Sequence, residues 1–281
     1  MGFLAVDIGN TRVTLGLFED ERSSAEGRLT KRFDIPTRTL TREMLSEPLT
    51  GITPPDVIAI ASVVPWASDE IIAVLREMFG DATIVIISSG NIPMRIDYPH
   101  PKELGVDRWL GALAAFKRWG EREGRPCIVV DLGTATTYDC ITSEGIFLGG
   151  AIAPGLALGA EALAQRAAQL PEIELSFPPS IIGRTTVESM QSGILYGGLS
   201  QLEEFVKRLG AFAFPNEEPI VIATGGLARL FEGRTKLVTH FDANLVLEGI
   251  RLAAELAPIE GEQMEKAQGG AIYHHEMAMR N

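Results

Sequence analysis

Phe3-Leu-Ala-Val-Asp-Ile-Gly-Asn-Thr-Arg-Val-Thr-Leu-Gly-Leu-Phe18 opens the chain, and Cys127-Ile-Val-Val-Asp-Leu-Gly-Thr-Ala-Thr-Thr-Tyr-Asp-Cys-Ile141 repeats its plan. In each, a short apolar run ends at an aspartate, Asp7 or Asp131. A glycine follows two residues on, Gly9 or Gly133, and apolar–polar alternation then resumes. A continuous apolar run reads as a buried strand, Gly beside Asn or Thr as a tight turn, and alternation as a second strand. The two aspartates are 124 residues apart, and so are the two glycines. That spacing predicts an internal duplication: two related α/β halves, each beginning strand–turn–strand.

The remaining pattern supplies the other elements of such halves. Residues 29–35 read as a third strand and 41–49 as a short helix capped near Thr41. The run 57–64 reads as a buried strand, followed by a helix over 68–79 capped by Ser68, and 83–87 reads as another buried strand. After a Pro-rich loop (Pro93, Pro99, Pro101) a helix is expected over 108–119. In the second half, helices are expected over 156–170 and 186–209, the latter with candidate breaks at Gly193 and Gly197-Gly198. A Pro-rich loop covers 171–184. Residues 219–226 form a strand feeding a glycine turn, with a helix starting near Leu227, and 244–256 form a last amphipathic helix. From Pro258 the chain is weakly patterned and reads as an irregular tail.

Composition narrows the function. The 281 residues carry 25 Lys plus Arg against 37 Asp plus Glu, a net charge of −12, with 46% hydrophobic and 22% charged residues. That is a globular composition, and a chain of this size buries about 75% of its surface without staples. The acidity excludes a nucleic-acid or anionic-membrane surface. Asp7, Asn10 and Arg12 interrupt the opening segment, so no signal peptide is expected, and no uncharged run is long enough to span a membrane. Cys127 and Cys140 lack metal-ligand spacing and read as reduced, structural thiols of a cytoplasmic protein. His100, His240, His274 and His275 form no metal pattern, and His274-His275-Glu276 reads as solvated tail.

Three strand-then-glycine turns carry the chemistry: Asp7-Ile-Gly-Asn-Thr, Asp131-Leu-Gly-Thr-Ala-Thr-Thr and Thr224-Gly-Gly226. Glycine lets backbone N–H groups approach phosphate oxygens, and Thr and Asn add donors. An ionised aspartate cannot donate to a phosphate, so its useful role is to hold a bridging cation. Two such turns facing across a cleft would grip a nucleotide's phosphate tail, and the third would seat the nucleoside. Each turn alone is also an ordinary hairpin connection; the recurrence favours phosphate. Neither Gly-x-x-x-x-Gly-Lys-Ser/Thr nor Gly-x-Gly-x-x-Gly occurs, which disfavours a P-loop and a dinucleotide enzyme. In Tyr98-Pro-His-Pro-Lys-Glu-Leu-Gly-Val-Asp-Arg108, Asp107 could accept a hydroxyl proton and Arg108 could pair with an anion. The alternative is a helix cap and a surface arginine.

Taken in order, these motifs resemble the type III pantothenate kinase family over roughly residues 3–256. They are Asp7-Ile-Gly-Asn-Thr, Ala61-Ser-Val-Val-Pro65, Gly105-Val-Asp-Arg108, Asp131-Leu-Gly-Thr-Ala-Thr-Thr137 and Gly149-Gly-Ala-Ile-Ala-Pro-Gly155, followed by Thr186, Gln191-Ser-Gly193, Ala223-Thr-Gly-Gly226 and Leu247-Glu-Gly249. The resemblance implies an α/β fold of two ribonuclease-H-like domains of the actin-like ATPase and sugar kinase superfamily flanking a central cleft. The domains expected are 1–118 and 119–257, with a tail at 258–281. It implies ATP-dependent phosphorylation of pantothenate on its 4′-hydroxyl, the first step of coenzyme A synthesis, by a homodimer that needs Mg²⁺ and a monovalent cation, K⁺ or NH₄⁺. By resemblance, Asp7, Ile8, Gly9, Asn10, Thr11, Arg12, Val13 and Thr14 form the ATP phosphate loop, Thr134 contacts ATP and Asp131 binds K⁺. Tyr98, Gly105, Val106, Asp107 and Arg108 contact pantothenate, with Asp107 the proton acceptor. Thr186 adds a pantothenate contact across the dimer. Arg12 and Thr185 stand where the family more often has Asn, and Val106 where it has Ala. Two alternatives are a kinase of another small hydroxyl substrate and a regulatory nucleotide-binding protein.

Overall fold

The computed structural model describes residues 2–19, 28–256, 265–267 and 270–273. The described residues gather into two compact units, one drawn from Met1–Pro93, His100–Ala114 and Val246–Asn281, the other from Met94–Pro99 and Ala115–Leu245.

The first unit is built on β1 (Gly2–Ile8), β2 (Arg12–Glu19), β3 (Arg28–Pro36), β4 (Val57–Ser62) and β5 (Thr83–Ile87). The order is β5-β4-β1-β2-β3, with β2 antiparallel to both neighbours and β1, β4 and β5 parallel. Leu4, Val6 and Ile8 face the same way as Val13 and Leu15, because the register sets Val6 opposite Leu15 and Ile8 opposite Val13. With Ile58 and Ile60 they bury against Leu45 of α1 (Arg42–Ser46) and Ile71, Val74 and Leu75 of α2 (Pro65–Met78). Each such side chain contributes about 1.5–3 kcal/mol by leaving water. A one-residue slip would turn the whole set outward, so the pairing is pinned. Thr41 caps α1, its Oγ1 accepting the Met44 N–H at 3.3 Å. Helix α2 starts three residues before the expected Ser68, because Pro65 sits comfortably in a first turn. Ser62 Oγ accepts the Val64 N–H at 3.0 Å and lies 2.7 Å from Ser68 Oγ, so Ser68 braces the first turn from inside.

The second unit begins with a short edge strand, β6 (Arg95–Ile96). Helix α3 (Val106–Ala115) belongs to the first unit up to Ala114 and continues through a π-helical turn at Phe116–Gly120 into α4 (Glu121–Glu123). Gly124, at φ +62°, ends it. The unit's sheet uses β7 (Cys127–Leu132), β8 (Ala135–Ile141), β9 (Ile146–Pro154), β10 (Ile220–Thr224) and β11 (His240–Phe241), and its helices are α5 (Leu156–Arg166) and α6 (Thr186–Ala213). Its order, β11-β10-β7-β8-β9 with β6 added at the edge, and its strand directions repeat those of the first sheet. Both are the ribonuclease-H-like order, and the duplication expected from the spacing is present as two copies of one topology.

Several elements differ from expectation. Helix α6 runs unbroken. Gly193 and Gly197 face open space, and Gly198 lies under Leu156 of α5, where an added methyl would come within 2.5 Å of its Cδ2. That glycine serves a close helix approach, not a break. Only a short 3-10 turn, Ala228–Phe231, follows Leu227, and α5 stops at Arg166. Helix α7 (Leu245–Leu256) packs into the first unit from Val246 onward. A methyl on Gly249 would sit 2.2 Å from the Leu110 carbonyl oxygen of α3. The tail from Pro258, expected to be irregular, contributes β12 (Glu265–Ala267) and β13 (Gly270–Tyr273), which extend the first sheet beside β5. His274, His275 and Glu276 lie outside the described residues. No helix among the described residues is long and apolar enough to cross a membrane.

Cys127 pairs with Ile141 and Cys140 with Ile128, so the two thiols point to opposite faces of the sheet. Both are buried, and burial pushes each thiol up to about 12. Neither a disulfide between them nor thiolate chemistry fits. In the native protein at neutral pH, a thiol-specific chromogenic disulfide reagent should label neither cysteine, and both should react once the chain is unfolded in denaturant. Rapid labelling of the folded protein would contradict this arrangement.

Candidate active site

The pleat that buries Val6 and Ile8 turns Asp7 to the other face of the first sheet. Asp7 lies opposite Thr14 across the β1–β2 pair and beside Ala61 of β4. Between them the Gly9 N–H donates to the Arg12 carbonyl at 2.9 Å, closing the turn. Thr37, just past β3, ties the turn down: its Oγ1 donates to the Gly9 carbonyl at 2.7 Å and its N–H to the Thr11 carbonyl at 3.0 Å. Asn10, Thr11 and Arg12 remain exposed. The backbone is thus fixed while its outer donors are presented to solvent, as a phosphate-binding turn requires.

The second unit repeats the arrangement with one residue fewer. Asp131 lies opposite Thr137 and beside Thr224 of β10, and the Gly133 N–H donates to the Ala135 carbonyl at 3.1 Å. Gly225, at φ +91°, approaches so closely that an added methyl would lie 2.3 Å from Asp131 Oδ1. Gly155, which starts α5, lies against the turn's backbone, where its methyl would be 2.2 Å from the Thr134 carbonyl oxygen and 2.6 Å from that of Gly133. The second and third glycine turns of the sequence, with Gly155, therefore converge on Asp131 and Thr134.

The other sequence-predicted residues fall into two groups. In the first unit, Gly105–Arg108 forms the entry to α3. Helix α3 starts at Val106, so Asp107 is inside the first turn and is not the cap. Asp107 Oδ1 accepts the Arg108 N–H at 2.9 Å and folds over Gly105, whose added methyl would lie 2.5 Å from that oxygen. In the second unit, Tyr98 packs edge-on to Phe147 with ring centroids 6.4 Å apart, its ring 3.5 Å from where a methyl on Gly149 would be. Gly149 itself sits at φ +105°. Thr186 is the first residue of α6. Thr185 caps that helix, its Oγ1 accepting the Glu188 N–H at 3.1 Å, while Glu188 Oε2 accepts the Arg184 N–H at 2.7 Å. Thr does here the capping that Asn would do, so this departure leaves the helix start intact.

Two carboxylates beside these turns were missed by sequence reasoning. Asp34 on β3 lies opposite Thr14 and accepts its hydroxyl at 3.0 Å. Asp139 on β8 is buried and lies 3.4 Å from Thr137 Oγ1. Strand alternation was the available signal: Asp139 is two residues past Thr137 and shares its face.

No group of three or more His, Cys, Asp or Glu among the described residues could hold a metal by itself. The donor set is instead a strand-end carboxylate beside Thr hydroxyls and backbone carbonyls, twice over. Such hard oxygen ligands suit a cation that completes its shell with phosphate and water. The close seat at Asp131, Gly133, Gly155 and Gly225 is fitted by shape as well. Gly155→Ala should destabilise the protein by about 1–3 kcal/mol, since a methyl must displace backbone. Gly159→Ala in the same helix, facing open space, should be neutral or stabilising by up to about 1 kcal/mol. Urea melts that fail to separate the two variants would refute the close contact.

The chain is similar to known proteins of one family. The family model described as type III pantothenate kinase matches residues 3–208. A type III pantothenate kinase of a Roseiflexus species is 39% identical over 256 residues, covering 90% of this chain and 98% of its own length. One from Streptomyces coelicolor is 40% identical over 265 residues, covering 90% and 97%. Among solved structures, a conserved Campylobacter jejuni protein described as of the Baf family of transcriptional activators superposes with a TM-score of 0.55 at 18% identity. That superposition covers 90% of this chain and 97% of that one, a likeness of fold alone.

Proposed function

The chain belongs to the type III pantothenate kinase family, and on that premise we propose how its residues carry out ATP-dependent phosphorylation of pantothenate, the entry to coenzyme A synthesis. The observation that carries this reading is the paired arrangement itself: two strand-end aspartates, each opposite a threonine and followed by a backbone-closed glycine turn.

The stretch Asp7 to Thr14 receives the phosphates of ATP on its exposed turn, and Thr134 is a further ATP contact. Asp131 holds a monovalent cation, K⁺ or NH₄⁺, and Mg²⁺ travels with the nucleotide. When bound, these ions supply counter-charge to the phosphates. Phosphoryl transfer needs positioning and charge neutralisation more than covalent help from the protein.

Pantothenate is held by Tyr98, Gly105, Val106 and Arg108, the guanidinium facing its carboxylate or the transferring phosphoryl group. Asp107 takes the proton of the 4′-hydroxyl. Its Oδ1 is fixed by the Arg108 N–H, which leaves the second oxygen to orient and deprotonate the alcohol as the new O–P bond forms. Thr186 completes the substrate site from a second copy of the chain. A homodimer through this part of the second unit is supported by the exposed Ile181, Ile182 and Val187 on either side of that helix start. The enzyme works in the cytoplasm.

Two variants test the assignment. Asp107→Asn should lower kcat by about 10²–10⁴ in a coupled ADP-release assay, the range of a positioned general base; near-full turnover would remove Asp107 from that role. Asp131→Asn should abolish stimulation by K⁺ or NH₄⁺ while the protein stays folded. An unchanged K⁺ titration would place the cation elsewhere.

A further inference from the structure

Of the exposed turn residues Asn10, Thr11 and Arg12, Arg12 is the cation, and its surroundings set it apart from Arg32 of β3. Two residues along β2, Thr14 shares its side of the sheet, and Asp34 lies across from Thr14 on β3. The Asp34 carboxylate is already well served. Its Oδ1 accepts from Thr14 Oγ1 at 3.0 Å and from Arg32 at 3.0 Å, and its Oδ2 accepts from Arg32 Nε at 3.1 Å. Arg12 stands 3.7 Å from Oδ1, beyond hydrogen-bond distance, with its side chain 49% exposed. Burial would raise the Asp34 carboxyl, but Arg32, Thr14 and Arg12 outweigh it and hold it below the usual range, so the anchor stays ionised at neutral pH.

The consequence is an arginine tethered but not committed. Its charge is kept near the turn by Asp34, while its planar set of donors has no close partner at that carboxylate. A long, half-exposed ion pair contributes little to stability, so exchanging it for a phosphate costs little. The exchange gains charge-assisted hydrogen bonds from a fork that matches phosphate geometry. Asp34 is not left stranded, because Thr14 and Arg32 continue to satisfy it.

We infer that Arg12 is a ligand-responsive phosphate clamp, resting against Asp34 in the free protein and turning to the polyphosphate tail of a nucleotide held at the Asp7–Thr14 turn. This rests on the reading of that turn as the phosphate loop. It assigns Asp34, with Arg32, the part of a positioning residue that keeps the guanidinium at the lip of the turn. It also gives a protein of net charge −12 a local attraction for a tetra-anionic ligand.

The test is equilibrium titration of the full-length protein with ATP and with AMP, using wild type, Arg12→Gln and Arg12→Lys. Arg12→Gln should weaken ATP about five- to tenfold, as expected for loss of a charge-assisted contact, and leave AMP essentially unchanged. Its ATP affinity should also fall less steeply with added salt than that of wild type. Arg12→Lys should recover part of the loss, because a point charge replaces the fork. Unfolding midpoints of both variants should match wild type, since the side chain is exposed. Wild-type ATP affinity in Arg12→Gln, or equal losses for ATP and AMP, would overturn the clamp. Gly9→Val separates this from failure of the underlying reading: a methyl there already stands 3.1 Å from the Arg12 carbonyl oxygen, so the larger branch distorts the turn. If Gly9→Val loses ATP and Arg12→Gln does not, only the clamp falls. If neither loses ATP, the turn is not the phosphate loop.

Discussion

The parity of the pleated strand governs this molecule. In each unit the first two strands pair so that alternate residues, Val6 and Ile8 or Val130 and Leu132, enter the helix-covered core. The residue between them, Asp7 or Asp131, must then face the other way, opposite Thr14 or Thr137. The position of each carboxylate is therefore set by the burial of its neighbours. Shifting it to the other face would expose a row of apolar side chains, far more costly than any single polar contact is worth. The glycine turns build on this: they close the hairpins with backbone bonds and leave hydroxyls and N–H groups pointing outward. A strand-end carboxylate and a backbone-closed glycine turn are then neighbours by geometry, in both copies.

Much of this was legible in the residues because its cause is local. Apolar runs ending at Asp7 and Asp131, glycines two residues later and the common spacing were enough to read two related halves. Helix termini were less legible where the deciding contact is distant. Ser68 has the chemistry of a cap, but Pro65 starts α2 earlier and Ser62 supplies the braced hydroxyl. Gly197-Gly198 looks like a break until Leu156 is seen lying over Gly198. The short edge strands β6 and β11 are two residues each and owe their form to the strands they join, so no pattern of their own announces them. At the site, the segment around Asp107 by itself favours a cap over a base. Its place inside the first turn of α3, with one oxygen held by backbone, rules out the first role and is compatible with the second. Asp34 was overlooked because a lone acid in a strand carries no signal until its cross-strand partner Thr14 is known, whereas Asp139 could be reached only by alternation from Thr137 on its own strand.

Charge tells a related story. A protein of net charge −12 cannot draw ATP and pantothenate, both anions, by its overall field. Attraction has to be local and short-range, and the proposed site would supply it from backbone N–H groups, from Arg12 and Arg108, and from cations at the two strand-end carboxylates. The same acidity disfavours extended anionic partners, while small anions remain accessible where donors are concentrated.

The two copies also differ in how much change they can absorb. Beside Asp131, the parallel neighbour strand β10 ends at Thr224, and the following Gly225 presses against the carboxylate with no space for any side chain. At the matching place in the first unit stands Ser62, its hydroxyl engaged with Val64 and Ser68 and turned into its own helix start. After duplication, then, one copy became a tight seat with glycine pressed against the carboxylate, and the other a hydroxyl-sealed shoulder whose upkeep is internal. Substitutions drifting into the first copy can be judged by local stability alone. Those arriving in the second meet the carboxylate directly, so that half of the ancient repeat has far less latitude to wander.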